Sequence, residues 1–172
     1  MSRIAIIAGQ GALAPAVAAC LDDPLVFALP GFAPDGLTAT TFQLERLVPF
    51  LDDLHAKGVT RVVFAGAIRR PRLDPEAFDP RTAQLVPRIL TAMQSGDDAA
   101  LRTVLDIFEE NDLTVCSVRE IAPDLIPAEG ILTGEPTDAD RRDAGRAARI
   151  LAQTGPLDLG QGAVVAQGLC LA

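Results

Sequence analysis

The chain has 172 residues but one histidine, His55, and a single imidazole excludes a Ser-His-Asp triad or a multi-histidine metal site within it. Its position late in a helical pattern ending at Gly58 reads as a solvated residue near a helix C-terminus. Basic charge is also scarce, with 15 Lys and Arg against 23 Asp and Glu, a net charge of −8 and a sequence pI near 4.5. Nucleic-acid binding needs a cationic face and a polybasic anchor needs a cationic run, so the balance argues against both. Lysine is nearly missing: Lys57 stands alone beside fourteen arginines, a bias expected of a GC-rich genome. No run of eighteen apolar residues is present, so no membrane span is expected. The opening segment lacks a basic stretch ahead of an apolar one, so no signal peptide and a cytoplasmic location are expected. Cys20, Cys116 and Cys170 are odd in number and far apart, without ligand-like spacing, and read as reduced and mostly buried.

What is present is an alternation of short apolar runs and amphipathic stretches. Apolar runs at 4–8, 25–29, 61–65 and 113–118 read as strands, while 12–21, 43–57, 82–94, 99–111 and 138–153 read as helices. Residues 32–41 and 122–137, rich in proline and glycine, read as loops. This order predicts an α/β, Rossmann-like fold: a mostly parallel sheet with helices on both faces. The expected domain spans 1–157, with 158–172 beginning a connection onward. The last stretch, 162–172, reads as an apolar strand leading onward, which suggests a fragment of a longer protein. Gln167-Gly168 in its middle is unusual, since a polar side chain within an apolar strand needs a partner.

Ligands of such sheets bind beyond the carboxyl ends of the strands. Two strand ends carry suitable chemistry. Gly9-Gln10-Gly11 follows the first strand and precedes a helix, a pattern that lets backbone N–H groups approach an anion. The second strand ends Ala28-Leu29-Pro30-Gly31 without the carboxylate that would hold a dinucleotide ribose, which disfavours a nicotinamide cofactor. Arg69-Arg70-Pro71-Arg72 is the densest basic cluster and follows the third strand, where guanidinium forks suit phosphate oxygens or simply meet surface carboxylates. Gly96-Asp97-Asp98 fits a helix N-cap and equally a carboxylate that binds a hydroxyl or a divalent metal. Residues alone lead to an α/β domain for a phosphorylated ligand.

Four segments, in order, resemble a known family: Ile7-Ala-Gly-Gln-Gly-Ala-Leu-Ala-Pro15, Phe64-Ala-Gly-Ala-Ile-Arg-Arg-Pro71, Gly96-Asp-Asp-Ala-Ala-Leu-Arg102 and Asp158-Leu-Gly-Gln-Gly-Ala-Val-Val-Ala-Gln-Gly-Leu169. The family is the two-domain UDP-2,3-diacylglucosamine pyrophosphatases of lipid A biosynthesis, unrelated to the calcineurin-like phosphoesterases. The chain resembles the family's N-terminal domain and the connection that follows. The resemblance implies hydrolysis to UMP and 2,3-diacylglucosamine 1-phosphate, with Mg or Mn as divalent metal and the substrate held between two domains. It implies Gly9, Gln10 and Gly11 as a ligand-facing loop, and Gly66 and Arg70 beside the sugar phosphate. Asp97 and Asp98 would meet sugar hydroxyls or a metal, and Gln161 and Gln167 would line the interdomain cleft. The family's main catalytic carboxylates are expected beyond this chain, so the chain alone is expected to be inactive. Two departures stand out: Gly-Gln-Gly where three consecutive glycines are common, and Ala67 where a polar residue is common. The implied partners are the UDP-sugar lipid, the inner-membrane surface in transient contact, and a second copy in a homodimer. A non-catalytic nucleotide or sugar-phosphate module of Rossmann type is the alternative.

Overall fold

The alternation of runs becomes a five-stranded sheet, every strand parallel to its neighbours, in the order β3-β2-β1-β4-β5. The computed structural model describes residues 3–69, 71–94, 97–157 and 159–172. The strands are β1 (Arg3–Ala8), β2 (Leu25–Ala28), β3 (Thr40–Thr41), β4 (Val59–Ala65) and β5 (Thr114–Cys116). The helices are α1 (Leu13–Ala18), α2 (Leu47–Ala56), α3 (Pro80–Ala83), α4 (Val86–Gln94), α5 (Asp97–Glu110), α6 (Val118–Ile121) and α7 (Asp138–Thr154). The chain divides into two compact units, Met1–Ile126 and Pro127–Ala172.

In the first unit the strands are apolar on both sides because both sides are covered. Ala5 and Ile7 of β1 join Phe27 of β2 and Val59 and Val62 of β4 on one face, beneath Leu47, Phe50, Leu51 and Leu54 of α2 and Ile107 and Phe108 of α5. Ile6 and Ala8, with Ala28, Val63 and Ala65, fill the other face beneath Ala14 and Val17 of α1, with Val118 and Ile121 of α6 packed alongside. Phenylalanine supplies all the aromatic side chains, and Phe50 is their hub: it stacks on Phe42 at 4.1 Å and meets Phe27 edge-on at 5.1 Å.

Prolines account for the places where the helices depart from the periodic pattern. The 43–57 pattern resolves into a 3₁₀ turn, Leu44–Arg46, and then α2, because Pro49 lacks an N–H and its ring opposes the carbonyl of Glu45. Pro87 acts likewise against Ala83, so the expected 82–94 helix is two helices, α3 and α4. Thr82, fully buried, ties α3 to α2 by accepting the Val48 N–H at 3.0 Å. The expected loop over 32–41 ends in β3, which pairs with Phe27 and Ala28. Of the cysteines expected to be buried, only Cys116 is; Cys20 and Cys170 are exposed. His55 lies exposed in the last turn of α2, as its position suggests.

The second unit consists of α7 and a hairpin, β6 (Val165–Ala166) and β7 (Leu169–Cys170). The expected continuous strand over 162–172 is corrected here: Gln167 and Gly168, at φ 51° and 76°, form the two-residue turn, so the polar residue lies in a turn rather than within a strand. At the start of α7, Thr137 and Asp140 form a capping box. The Thr137 hydroxyl and then its backbone N–H donate to the Asp140 carboxylate, which holds its pKa below the ordinary aspartate value. A carboxyl lowered by folding stabilises the folded form above its unfolded pKa and ceases to do so as pH falls through the folded value. Helical circular dichroism should therefore fall on acidification below the ordinary aspartate range, and Asp140→Asn should flatten that part of the titration. An unchanged acid limb in D140N would refute the assignment.

Candidate functional site

The carboxyl edge of the sheet is where the chain folds its glycine- and arginine-bearing segments together. β2 lies on one side of β1 and β4 on the other, so the strand order reverses at β1, the position at which open α/β sheets form a ligand crevice. The loops leaving β1 and β4 join each other there. The Gly9 N–H donates to the Ala65 carbonyl at 2.8 Å, and Gln10 and Ala67 exchange both backbone bonds, at 2.8 and 2.9 Å. Because Ala67 takes part through its backbone alone, the side chain at this position does not decide the pairing.

This junction gives two of the glycines their reason. A Cβ on Gly9 would lie 2.6 Å from the Ala67 carbonyl oxygen, and one on Gly66 would lie 2.5 Å from the Gly9 carbonyl oxygen. Gly66 also sits at φ 106°, a conformation that other residues rarely adopt. Gly9 and Gly66 are therefore required by each other's backbone. Gly11 differs: it has φ 95° with open space where a Cβ would point. The Gln10 carboxamide donates to the Gly31 carbonyl at 3.2 Å and links the β1 loop to the β2 loop. Helix α1 adds little anion-binding capacity, since it spans six residues and its third position, Pro15, has no N–H.

The loops after β2 and β4 also line a cavity of about 530 Å³, to which Gly9, Gln10, Gly11 and Gly66 do not contribute. Leu29 and Pro30 from the end of β2, Phe32, Leu44 and Leu73 give it apolar walls, and its charged lining is mixed, with Arg69 and Arg72 beside Glu45 and Asp74. The Glu45 carboxylate accepts the Asp74 N–H at 3.0 Å. Sequence reasoning picked out the arginine cluster but not the apolar walls, which come from three separate segments. Arg70 lies outside the described residues.

The acidic pair at 97–98 opens α5, the helix that precedes β5. The carboxylate of Asp98 accepts from Arg102 Nε at 2.8 Å, one turn along the helix. Among the described residues, no three histidine, cysteine, aspartate or glutamate side chains gather as a metal would require. Gln161 and Gln167 both belong to the second unit and are exposed. Gln167 lines a separate concavity with arginines of α7.

No helix among the described residues is long and apolar enough to cross a membrane. Over its whole length the chain is 32% identical, across 180 aligned positions, to the UDP-2,3-diacylglucosamine pyrophosphatase LpxI of Caulobacter vibrioides, and it spans 64% of that relative. The profile of the LpxI N-terminal domain matches residues 3–125, the stretch that carries the five-stranded sheet and the loop junction at its carboxyl edge. The chain belongs to the LpxI family, and residues 3–125 are its N-terminal domain.

Proposed function

We propose that this chain is the substrate-binding, N-terminal portion of a UDP-2,3-diacylglucosamine hydrolase that releases UMP and 2,3-diacylglucosamine 1-phosphate in lipid A biosynthesis. The observation that carries the reading, together with family membership, is the cavity at the sheet's carboxyl edge. Its two arginines beside apolar walls suit a ligand that is anionic at one end and acylated at the other, with Glu45 and Asp74 in the same lining placed to take hydroxyl groups.

In the reaction, water attacks a phosphorus of the diphosphate and the electron pair of the breaking P–O bond passes to the departing phosphate oxygen. Arg69 and Arg72 would orient the phosphates and offset the charge that builds on their oxygens. Gly11 leaves room for the ligand at the neighbouring loop. The described residues do not by themselves make a metal site, and Asp98 already engages Arg102. Mg²⁺ or Mn²⁺ would draw its donors from elsewhere. Transient contact with the inner membrane from the cytoplasmic side belongs to the same reading, because the substrate itself supplies the lipid. A homodimer is included in the proposal and would show as a doubled mass in light scattering.

The test is UMP release from UDP-2,3-diacylglucosamine with Mg²⁺ or Mn²⁺. It is run on this chain alone and on this chain joined to the remaining C-terminal part of the Caulobacter relative. Turnover by the joined protein alone is expected. No turnover by either, beside an active Caulobacter enzyme, would remove the pyrophosphatase reading and leave a sugar-phosphate-binding module.

A further inference from the structure

The second unit holds a charged concavity that the reaction above does not use. On α7, Arg142, Arg146 and Arg149 follow at spacings of four and three, so they share one helix face. With Asp143 and the Gln167-Gly168 turn they line a space of about 380 Å³. The one carboxylate there is already engaged: Asp143 Oδ1 accepts the Gly168 N–H at 2.9 Å and pins the hairpin turn to the helix. Among the described residues, none of the three arginines has an ion-pair partner, although the chain carries 23 carboxylates against 15 cations. Like charges at these spacings weaken a helix.

An oxyanion resolves the arrangement. Guanidinium forks pair bidentately with phosphate oxygens, and three of them in a row offer more donors than one phosphate can accept. From Arg142 to Arg149 the row spans seven steps, about 10 Å of helix at 1.5 Å per residue, which fits two linked phosphates better than one. On the facing wall, Gln167 offers a neutral carboxamide donor from a backbone at φ 51°, a region in which glutamine is uncommon.

We propose that Arg142, Arg146, Arg149 and Gln167 form a binding site for a diphosphate-type anion, distinct from the cavity of Arg69 and Arg72. The site stands independently of the pyrophosphatase reading. Its phosphates come either from a soluble nucleotide diphosphate or from clustered anionic lipid headgroups.

The test is calorimetric titration of the whole chain with sodium pyrophosphate and with UDP, alongside co-sedimentation with phosphatidylglycerol vesicles. The variants are Arg146→Gln, Arg146→Lys, Gln167→Ala and, as a surface control, Arg119→Gln. Pyrophosphate affinity should fall about tenfold or more in R146Q, partly recover in R146K and stay unchanged in R119Q. Amide NMR supplies a second readout, because the Gly168 N–H should shift on addition of pyrophosphate. A matching loss of UDP binding in R146Q supports the site with a nucleotide ligand, and a matching loss of vesicle binding supports it with headgroups. Wild-type pyrophosphate affinity in a folded Arg142→Gln/Arg146→Gln/Arg149→Gln variant, or an unmoved Gly168 signal, overturns the proposal.

Discussion

Gly66→Ala is expected to lower the stability of the first unit by about 2–6 kcal/mol, adding a backbone strain of about 1–3 to a packing clash of about 1–3. Both contributions are present in the geometry. The residue sits at φ 106°, and the new Cβ would fall 2.5 Å from the Gly9 carbonyl oxygen, a backbone atom with no flexible side chain to swing aside. The oxygen it strikes belongs to the residue whose N–H bonds Ala65, next to the Gln10–Ala67 pair. Relief of the clash therefore pulls on the hydrogen bonds that join the β1 and β4 loops. Gly11→Ala is the matching control, because it shares the positive φ, at 95°, but meets nothing. Urea unfolding followed by circular dichroism should show G66A at least about 1 kcal/mol less stable than G11A. Equal losses would mean that backbone conformation alone decides and that the loop contact is dispensable.

The same contrast shows what the sequence reveals of the site. Gly9-Gln10-Gly11 and Gly66 are conspicuous as glycines after strands, and their position at the carboxyl edge follows from the parallel alternation alone. That Gly9 and Gly66 answer to each other is not legible, because the contact joins residues 57 positions apart. Arg69 and Arg72 stand out as charge in an acidic chain, yet Leu29, Phe32, Leu44 and Leu73 beside them look like ordinary apolar residues until the fold gathers them. In the sequence the α7 arginines show only as the later charges of a helix that begins with Asp138, Asp140 and Asp143, an order that suits the helix dipole. The hairpin that turns their face into a concavity hides within an apolar run, where Gln-Gly is a weaker turn signal than Asn-Gly.

For the fold, long periodic elements were legible and short ones were not. The major strands of the sheet and α2 and α5 lie within a few residues of their expected positions, because each buries a regular apolar face. α7 is also where it is expected, although none of its residues is buried. β3 has two residues, too few for any period to show. α6, Val118–Ile121, is not anticipated: the expected strand over 113–118 ends on its first residue, although Ser117-Val118-Arg119-Glu120 carries the capping-box pattern that the structure realises. The prolines at 49 and 87 interrupt helices at sites that the apolar period passes over, since period records which face is buried and not whether each carbonyl finds a donor.

Phe50→Ala should destabilise the first unit by about 3–5 kcal/mol, within the range for removing a buried phenylalanine ring. Phe50 is 7% exposed and is the point where three segments meet. It leaves α2 to stack on Phe42 just beyond β3, presents an edge contact to Phe27 of β2 at 5.1 Å, and reaches Phe108 of α5 at 6.4 Å. No single neighbour can collapse into the space without leaving another, so the cavity should persist and the cost should lie high in the range. Phe50→Leu keeps part of the volume and should lose markedly less. The stacking itself is separable by a double-mutant cycle: Phe42 and Phe50 lie 4.1 Å apart at an interplanar angle of 13°, and such pairs couple by about 0.5–1.5 kcal/mol beyond area burial. F42A, F50A and F42A/F50A compared by urea unfolding should therefore be non-additive, with the double variant more stable than the two single losses add up to. Additivity within about 0.3 kcal/mol would mean that the rings act only as separate fillers. The hub matters to the candidate site because β2, which it braces, ends in the Leu29 and Pro30 wall of the cavity that holds Arg69 and Arg72. Loosening Phe50 should thus widen that cavity's apolar side while leaving the two guanidiniums, anchored on the loop after β4, where they are.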